Sequence, residues 1–216
     1  MKRIAVILSG CGVFDGSEIH ESVLSLLAIE QEGASWHCFA PNIDQHHVIN
    51  HLTGEESRES RNVLIEAARI ARGQIQDVQE LNASQFDALL LPGGFGAAKN
   101  LSDFALKGSD CTIHPDVLSA CQSFAKVDKP AGYLCIAPAM IPLIYGSGAK
   151  GTIGTDPDTA KVFNTMGGEH IECPVHDFVL DQKRRLLTTP AYMLAGSLSE
   201  AASGINKLVK ELVKLA

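Results

Sequence analysis

The segment that most restricts the fold is Arg3 to Ser9, Arg-Ile-Ala-Val-Ile-Leu-Ser, a continuous apolar run rich in branched side chains. A strand with one wet face alternates apolar and polar residues. A run apolar throughout belongs to a parallel strand covered on both faces. Parallel neighbours need crossover connections, so such a strand calls for helices on both sides of a sheet. The segments that follow have that rhythm. A glycine-rich loop, Gly10 to Gly16, leads to a helix capped by Ser17 or Asp15 and running to about Glu32, with Gly33 as its stop. Ile19, Val23, Leu26 and Leu27 are expected to face the sheet. Ser35 to Ala40 reads as a second strand, Ser60 to Arg72 as a helix, and Phe86 to Leu91 as a third buried strand entering Pro92-Gly93-Gly94. His114-Pro115 opens a helix to about Val127. The fold class implied is α/β: one doubly wound, mostly parallel sheet within a single domain, residues 1–216.

A fourth strand carries the chemistry. Lys129 to Leu134 ends in Cys135, and Pro138 sits in the first turn of the helix that follows, where proline is tolerated. A cysteine at such a junction is pushed into the crevice at the carboxyl ends of the strands, beside the free N–H groups of the next helix. Those amides are expected to lower its pKa and favour the nucleophilic thiolate. Pro142 predicts a kink or a short first segment in that helix. From Lys150 the chain turns to short strands, Gly151 to Thr155 and His170 to Val175. A hairpin follows, with arms Phe178–Leu180 and Arg185–Thr188. A final amphipathic helix starts at Ser197, with Glu200 completing a capping box.

Composition excludes several functions. A formal charge of −7 without a basic run argues against nucleic acid or an anionic membrane as partner. The apolar run at the start is too short for a signal-peptide core, and nothing approaches the roughly 18 apolar residues of a membrane span. Six cysteines without C-x-x-C or clustered spacing read as free thiols in a reducing compartment, and a cytoplasmic location is expected. His46, His47 and His51 lack the spacing of a metal site and read as surface histidines; no metal or cofactor is expected.

Three segments therefore converge at one sheet edge: Gly10 to Glu21, Pro92 to Gly96, and Cys135 with its helix. Glu18 and Glu21 are both candidate proton carriers for Cys135, since a desolvated carboxyl beside a thiol is partly protonated near neutrality. Gly93, Gly94 and the Ile136 amide are candidate oxyanion donors. His114 and His176 are possible helpers that the sequence alone cannot bring to the thiol. Gly10-x-Gly12-x-x-x-Gly16 imitates a dinucleotide fingerprint. Its third glycine falls one place late, and no acidic residue ends the second strand.

Leu91-Pro92-Gly93-Gly94 and Tyr133-Leu134-Cys135-Ile136-Ala137-Pro138 resemble the oxyanion loop and nucleophile elbow of the PfpI-like branch of the class I glutamine amidotransferase-like superfamily. Ser9 to Glu21 and Ile49 to Glu55 more closely resemble members tied to isoprenoid metabolism. The resemblance implies a flavodoxin-like fold, a homodimer, and a metal-free glyoxalase that uses no glutathione. Such an enzyme takes a small dicarbonyl, converting glyoxal to glycolate and methylglyoxal to lactate. Carried onto this chain, Cys135 adds to the aldehyde and Glu21 shuttles the proton. The alternatives are a non-catalytic redox-sensing regulator and a protein deglycase. The chain departs from the amidotransferase and peptidase pattern in one respect: Ile136 follows the cysteine, and no His-x-Glu follows Thr188-Thr189-Pro190, so no histidine is supplied as base.

Overall fold

The computed structural model describes all of residues 1–216. In chain order its strands are β1 (Arg3–Ile7), β2 (Ser35–Ala40), β3 (Val48–Ile49), β4 (Glu56–Ser57), β5 (Ile75–Asp77), β6 (Ala88–Leu91), β7 (Ala131–Leu134), β8 (Lys150–Gly151), β9 (Glu169–His170), β10 (Val179–Asp181) and β11 (Leu186–Thr189). The helices are α1 (Ile19–Gln31), α2 (Val63–Ile70), α3 (Phe95–Lys99), α4 (Phe104–Lys107), α5 (Pro115–Lys126), α6 (Ile141–Tyr145), α7 (Pro157–Thr165) and α8 (Leu198–Leu215). Seven strands form one sheet in the order β10-β11-β7-β6-β1-β2-β5, parallel throughout except for the β10–β11 hairpin. This is the flavodoxin-like architecture of the class I amidotransferase-like proteins.

The all-apolar strands are buried because both faces are covered. Residues Ile4 to Ile7 and Ala88 to Leu91 are fully inaccessible. One face packs α1, α2 and α8 against Ile4, Val6, Ala88 and Leu90; the other packs α5 and α6 against Ala5, Ile7, Leu89 and Leu91. Helix α8 is capped by Ser197, whose hydroxyl accepts the Glu200 N–H at 3.2 Å, and its Lys207, Lys210 and Lys214 face solvent. No helix is long and apolar enough to cross a membrane.

Several local expectations need correction. Helix α1 does not turn Ile19, Val23 and Leu27 inward: these are 42, 49 and 47% exposed, and the buried face carries Glu21, Ser22, Ser25, Leu26 and Ile29. Its cap is Glu18, because the Ser17 hydroxyl is used by the Ser9 N–H and Asp15 accepts the Ile49 N–H. The edge strand β5 and the β3–β4 hairpin lie in stretches too polar to be read as strands. Helix α7 falls between two expected strands, which shrink to the two-residue β8 and β9. Pro142 has the expected effect: a 3₁₀ turn, Ala137 to Met140, precedes the short α6.

The glycine-rich loop is closed by the protein itself. Gly12 N–H donates to Ser17 O, Gly16 N–H to Gly12 O, and Phe14 N–H to His51 Nε2. Asn100 locks it from below, its Nδ2 donating to the carbonyls of Ser9 and Asp15 and its Oδ1 accepting from His46 N–H. Three of the loop's amides, those of Gly12, Phe14 and Gly16, are thereby committed within the protein, which leaves fewer of them for a phosphate. Asn100→Ala removes three hydrogen bonds from a buried position and is expected to cost about 3 kcal/mol. Urea unfolding of the variant against wild type measures it.

Candidate active site

The carboxyl ends of β1, β6, β7 and β11 all reach the same edge of the sheet, because all four run parallel. At the end of β7 the chain turns through Cys135, which adopts φ +60°, a left-handed conformation costly for a residue with a Cβ. The Cys135 N–H donates to Thr189 O at 3.0 Å, tying the turn to the end of β11. The strained elbow holds the sulfur at the head of the following turn, near the N–H groups of Ile136 and Gly94, which favour its ionised form. Cys135 is 7% exposed and opens onto a cavity.

Glu21 is the carboxyl partner. It is completely buried, and its carboxyl lies beside the Cys135 thiol, the two flanking Gly93 closely enough to shift each other's proton affinity. Its two oxygens are held from opposite sides: Oε2 accepts Gly93 N–H at 2.8 Å, and Oε1 accepts Tyr192 N–H at 3.1 Å. Glu18 does another job, capping α1 by accepting the Glu21 N–H at 2.6 Å, with its side chain in the cavity wall. Gly93 also changes role. Its amide is committed to Glu21 and is not free for an oxyanion, which leaves Gly94 and Ile136 as the donors at the sulfur. A methyl group on Gly93 would sit 2.5 Å from Cys135 Cβ and 2.9 Å from Glu21 Oε2, so only glycine fits between the pair.

The electrostatics differ from the sequence expectation. Burial pushes the Cys135 thiol well above its ordinary range, and the neighbouring Glu21 carboxylate raises it further. The Gly94 and Ile136 amides oppose this without reversing it. Burial also pushes Glu21 up, from 4.5 to about 7, although the Tyr192 and Gly93 amides pull it down. At neutral pH the sulfur therefore keeps its proton, while the Glu21 carboxyl is partly ionised beside it. The sulfur is not a preformed thiolate.

The cavity above the sulfur measures about 400 Å³. Val13, Phe95, Ala98, Phe104, Ala105, Ile136 and Met193 form its apolar walls, and Glu18, Thr159 and Tyr192 are its polar side chains. Neither His114 nor His176 lines it; His114 stands at the start of α5 with Nδ1 3.9 Å from Asp116. His47 meets Lys99 Nζ at 3.1 Å, and His51 closes the glycine loop. Tyr192 is the residue that sequence reasoning missed. Its amide orients Glu21 and its hydroxyl meets His20 Nδ1 at 3.0 Å. The only sequence signal for it would have been that the second hairpin arm is itself a parallel strand, which delivers the next residues to the elbow.

No protein-family model matches the chain. Among characterised sequences it is 42% identical over 223 residues to the rat mitochondrial ES1 protein homolog, covering 99% of this chain and 84% of that one. It is 41% identical to the human mitochondrial glutamine amidotransferase-like class 1 domain-containing protein 3, over 99% and 83% of the two chains. The chain belongs to the ES1 family of glutamine amidotransferase-like class 1 proteins. A solved structure in the same fold is an isoprenoid biosynthesis protein with an amidotransferase-like domain from Ehrlichia chaffeensis. It is 37% identical, with TM-score 0.92 over 99% of this chain and 100% of that one. More distant is a point mutant of the DJ-1 of Schizosaccharomyces pombe, 15% identical, TM-score 0.57 over 99% and 91% of the two chains, a likeness of fold alone. The superfamily of this ES1-family chain includes enzymes.

The raised Glu21 gives a stability signature. Folded Glu21 keeps its proton up to about pH 7, whereas the unfolded chain loses it near 4.5. Between these values the native state binds more protons, so stability falls as pH rises and levels off above 7. The loss is expected to total about 3 kcal/mol. Urea midpoints between pH 4.5 and 8 are expected to show it in wild type, and Glu21→Gln to lack that component.

Proposed function

We propose that this chain is an ElbB-type member of its family and a glutathione-independent glyoxalase, converting glyoxal to glycolate and methylglyoxal to lactate. The observation that carries this reading is the Cys135–Glu21 contact. It joins a nucleophile to a carboxyl that titrates at about 7, with Gly94 and Ile136 N–H groups beside the sulfur. As the thiol gives up its proton, the sulfur bonds to an aldehyde carbon and the carbonyl oxygen takes up a proton, giving a hemithioacetal. Glu21 carboxylate removes the proton on that carbon, forming an enediolate, and the hydroxyl proton passes from the first oxygen to the second. The same proton, returned by Glu21 to the neighbouring carbon, leaves a 2-hydroxy thioester. Water cleaves the thioester, releasing the hydroxy acid and restoring the thiol. One water is consumed, and no external oxidant or reductant is needed.

The pattern of groups favours this chemistry over its rivals. A redox sensor needs an exposed, acidic thiol, and Cys135 is buried with its pKa raised. Glutaminase and peptidase chemistry need a base that also protonates a leaving amine, and no histidine lines the cavity. The Ehrlichia relative is described as an isoprenoid biosynthesis protein, which supports placing this chain in the same branch. All six cysteines are free, in keeping with a reducing compartment such as the cytoplasm.

Two outcomes are expected. Glycolate formation from glyoxal, followed by proton NMR, falls at least about 1,000-fold in Cys135→Ala and about 100-fold in Glu21→Gln. Wild-type turnover by the Cys135→Ala protein would end the proposal. A homodimer is proposed through the exposed Ile19–Val23–Leu27 stripe of α1, three apolar residues four apart on one helical face. The double variant Val23→Glu, Leu27→Glu is expected to sediment as a monomer.

A further inference from the structure

The cavity above Cys135 is mismatched to glyoxal. A water molecule occupies about 30 Å³ of the liquid, so a space of about 400 Å³ holds roughly a dozen groups of that size. Glyoxal has only four non-hydrogen atoms and no apolar part. The walls are aromatic and aliphatic, chiefly Val13, Phe95, Phe104 and Met193, a lining that gains nothing from a small hydrated dialdehyde and much from an apolar group it can desolvate.

Charge narrows the choice further. No lining side chain is cationic, and Glu18 contributes a carboxylate to the wall. Lys99 lies over the Phe95 ring, 4.7 Å from its centroid, with its ammonium turned to His47. An anionic substrate would lose its hydration here without finding a counter-charge. Glu18 uses Oε2 on the Glu21 N–H and leaves Oε1 as an acceptor for a hydroxyl.

Resting on the Cys135–Glu21 reading above, we infer that the preferred substrate is an uncharged 2-oxoaldehyde bearing an aryl or bulky alkyl group. The aldehyde carbon bonds to Cys135 Sγ, and the substituent on the ketone carbon fills the apolar cavity. The hemithioacetal oxygen faces the Gly94 and Ile136 amides, and an enediol hydroxyl donates to Glu18 Oε1. The balance is that of glyoxal: hydrogen moves from the aldehyde carbon to the ketone carbon, one water is added, and phenylglyoxal yields mandelate.

The test compares kcat/KM of wild type for glyoxal, phenylglyoxal and 4-carboxyphenylglyoxal, with Cys135→Ala as the blank. Phenylglyoxal is expected to exceed each of the others at least about 30-fold. Equal values for phenylglyoxal and glyoxal, with the Cys135→Ala protein inactive, would overturn this inference and leave the glyoxalase reading intact. Should wild type turn over none of the three, the glyoxalase reading fails. The cavity's preference is then judged by binding of inert probes to Cys135→Ala, followed by ligand-observed NMR. Acetophenone is expected to bind at least about 10-fold more tightly than 4-acetylbenzoate. Equal or reversed affinities would overturn the preference for an uncharged aryl ligand as well.

Discussion

The site depends on one buried carboxyl. Glu21 sits on α1 with no access to water, and both of its oxygens are met by backbone N–H groups from elsewhere in the chain. Ionising a carboxyl in such a place carries a large desolvation penalty, and two amide donors offset only part of it. The balance left over puts its titration at about 7, near the point where a proton carrier works best at physiological pH. Gly93 comes from the end of β6 and Tyr192 from beyond β11, so the same two bonds also fix α1 against the sheet edge. Moving either donor would alter the carboxyl's proton affinity and its distance from sulfur together.

The elbow answers a geometric problem set by that carboxyl. For the sulfur to meet Glu21, Cys135 must leave β7 at φ +60°, and the cost is sustained by surroundings that permit no alternative. Its N–H is bonded to Thr189, and its Cβ presses against a residue that must be glycine. The thiol is thus aimed by backbone contacts from three strands. Small shifts in packing cannot easily turn it away, because each contact is itself part of the sheet.

Much of this was legible in the chain. The sheet followed from the all-apolar runs at Ile4–Leu8 and Ala88–Leu91, and the elbow from a buried strand ending in cysteine ahead of a proline. What escaped had physical reasons. Strand β5 is three residues long at the sheet edge and includes Gln76 and Asp77, so neither burial nor alternation marks it. Helix α1 misled because it buries serines and a glutamate around the site and exposes Ile19, Val23 and Leu27, a reversal of the usual amphipathic order. The thiol's pKa was misjudged because spacing reveals the amides beside a sulfur but not the depth at which it lies. Choosing between Glu18 and Glu21 likewise needed coordinates, since both fall in the first turn and only the hydrogen bonds assign one to the cap.

The lack of a histidine then decides which bonds this pair can break. Cleaving an amide demands a group that takes a proton from sulfur and returns it to a departing nitrogen several ångströms away, a path an imidazole can span. An aldehyde has no leaving group at the addition step. Its later proton transfer runs between adjacent carbons, within reach of a single carboxyl that gains and loses its proton at equal cost near neutrality. A raised thiol pKa is less of a handicap in such chemistry, because a weakly acidic thiol gives a more nucleophilic sulfur once its proton has moved. On the proposed reading, cysteine, glutamate and two amides serve for isomerising a 2-oxoaldehyde and lack the base that hydrolysing a peptide calls for. The selectivity lies in the missing base as much as in the groups present.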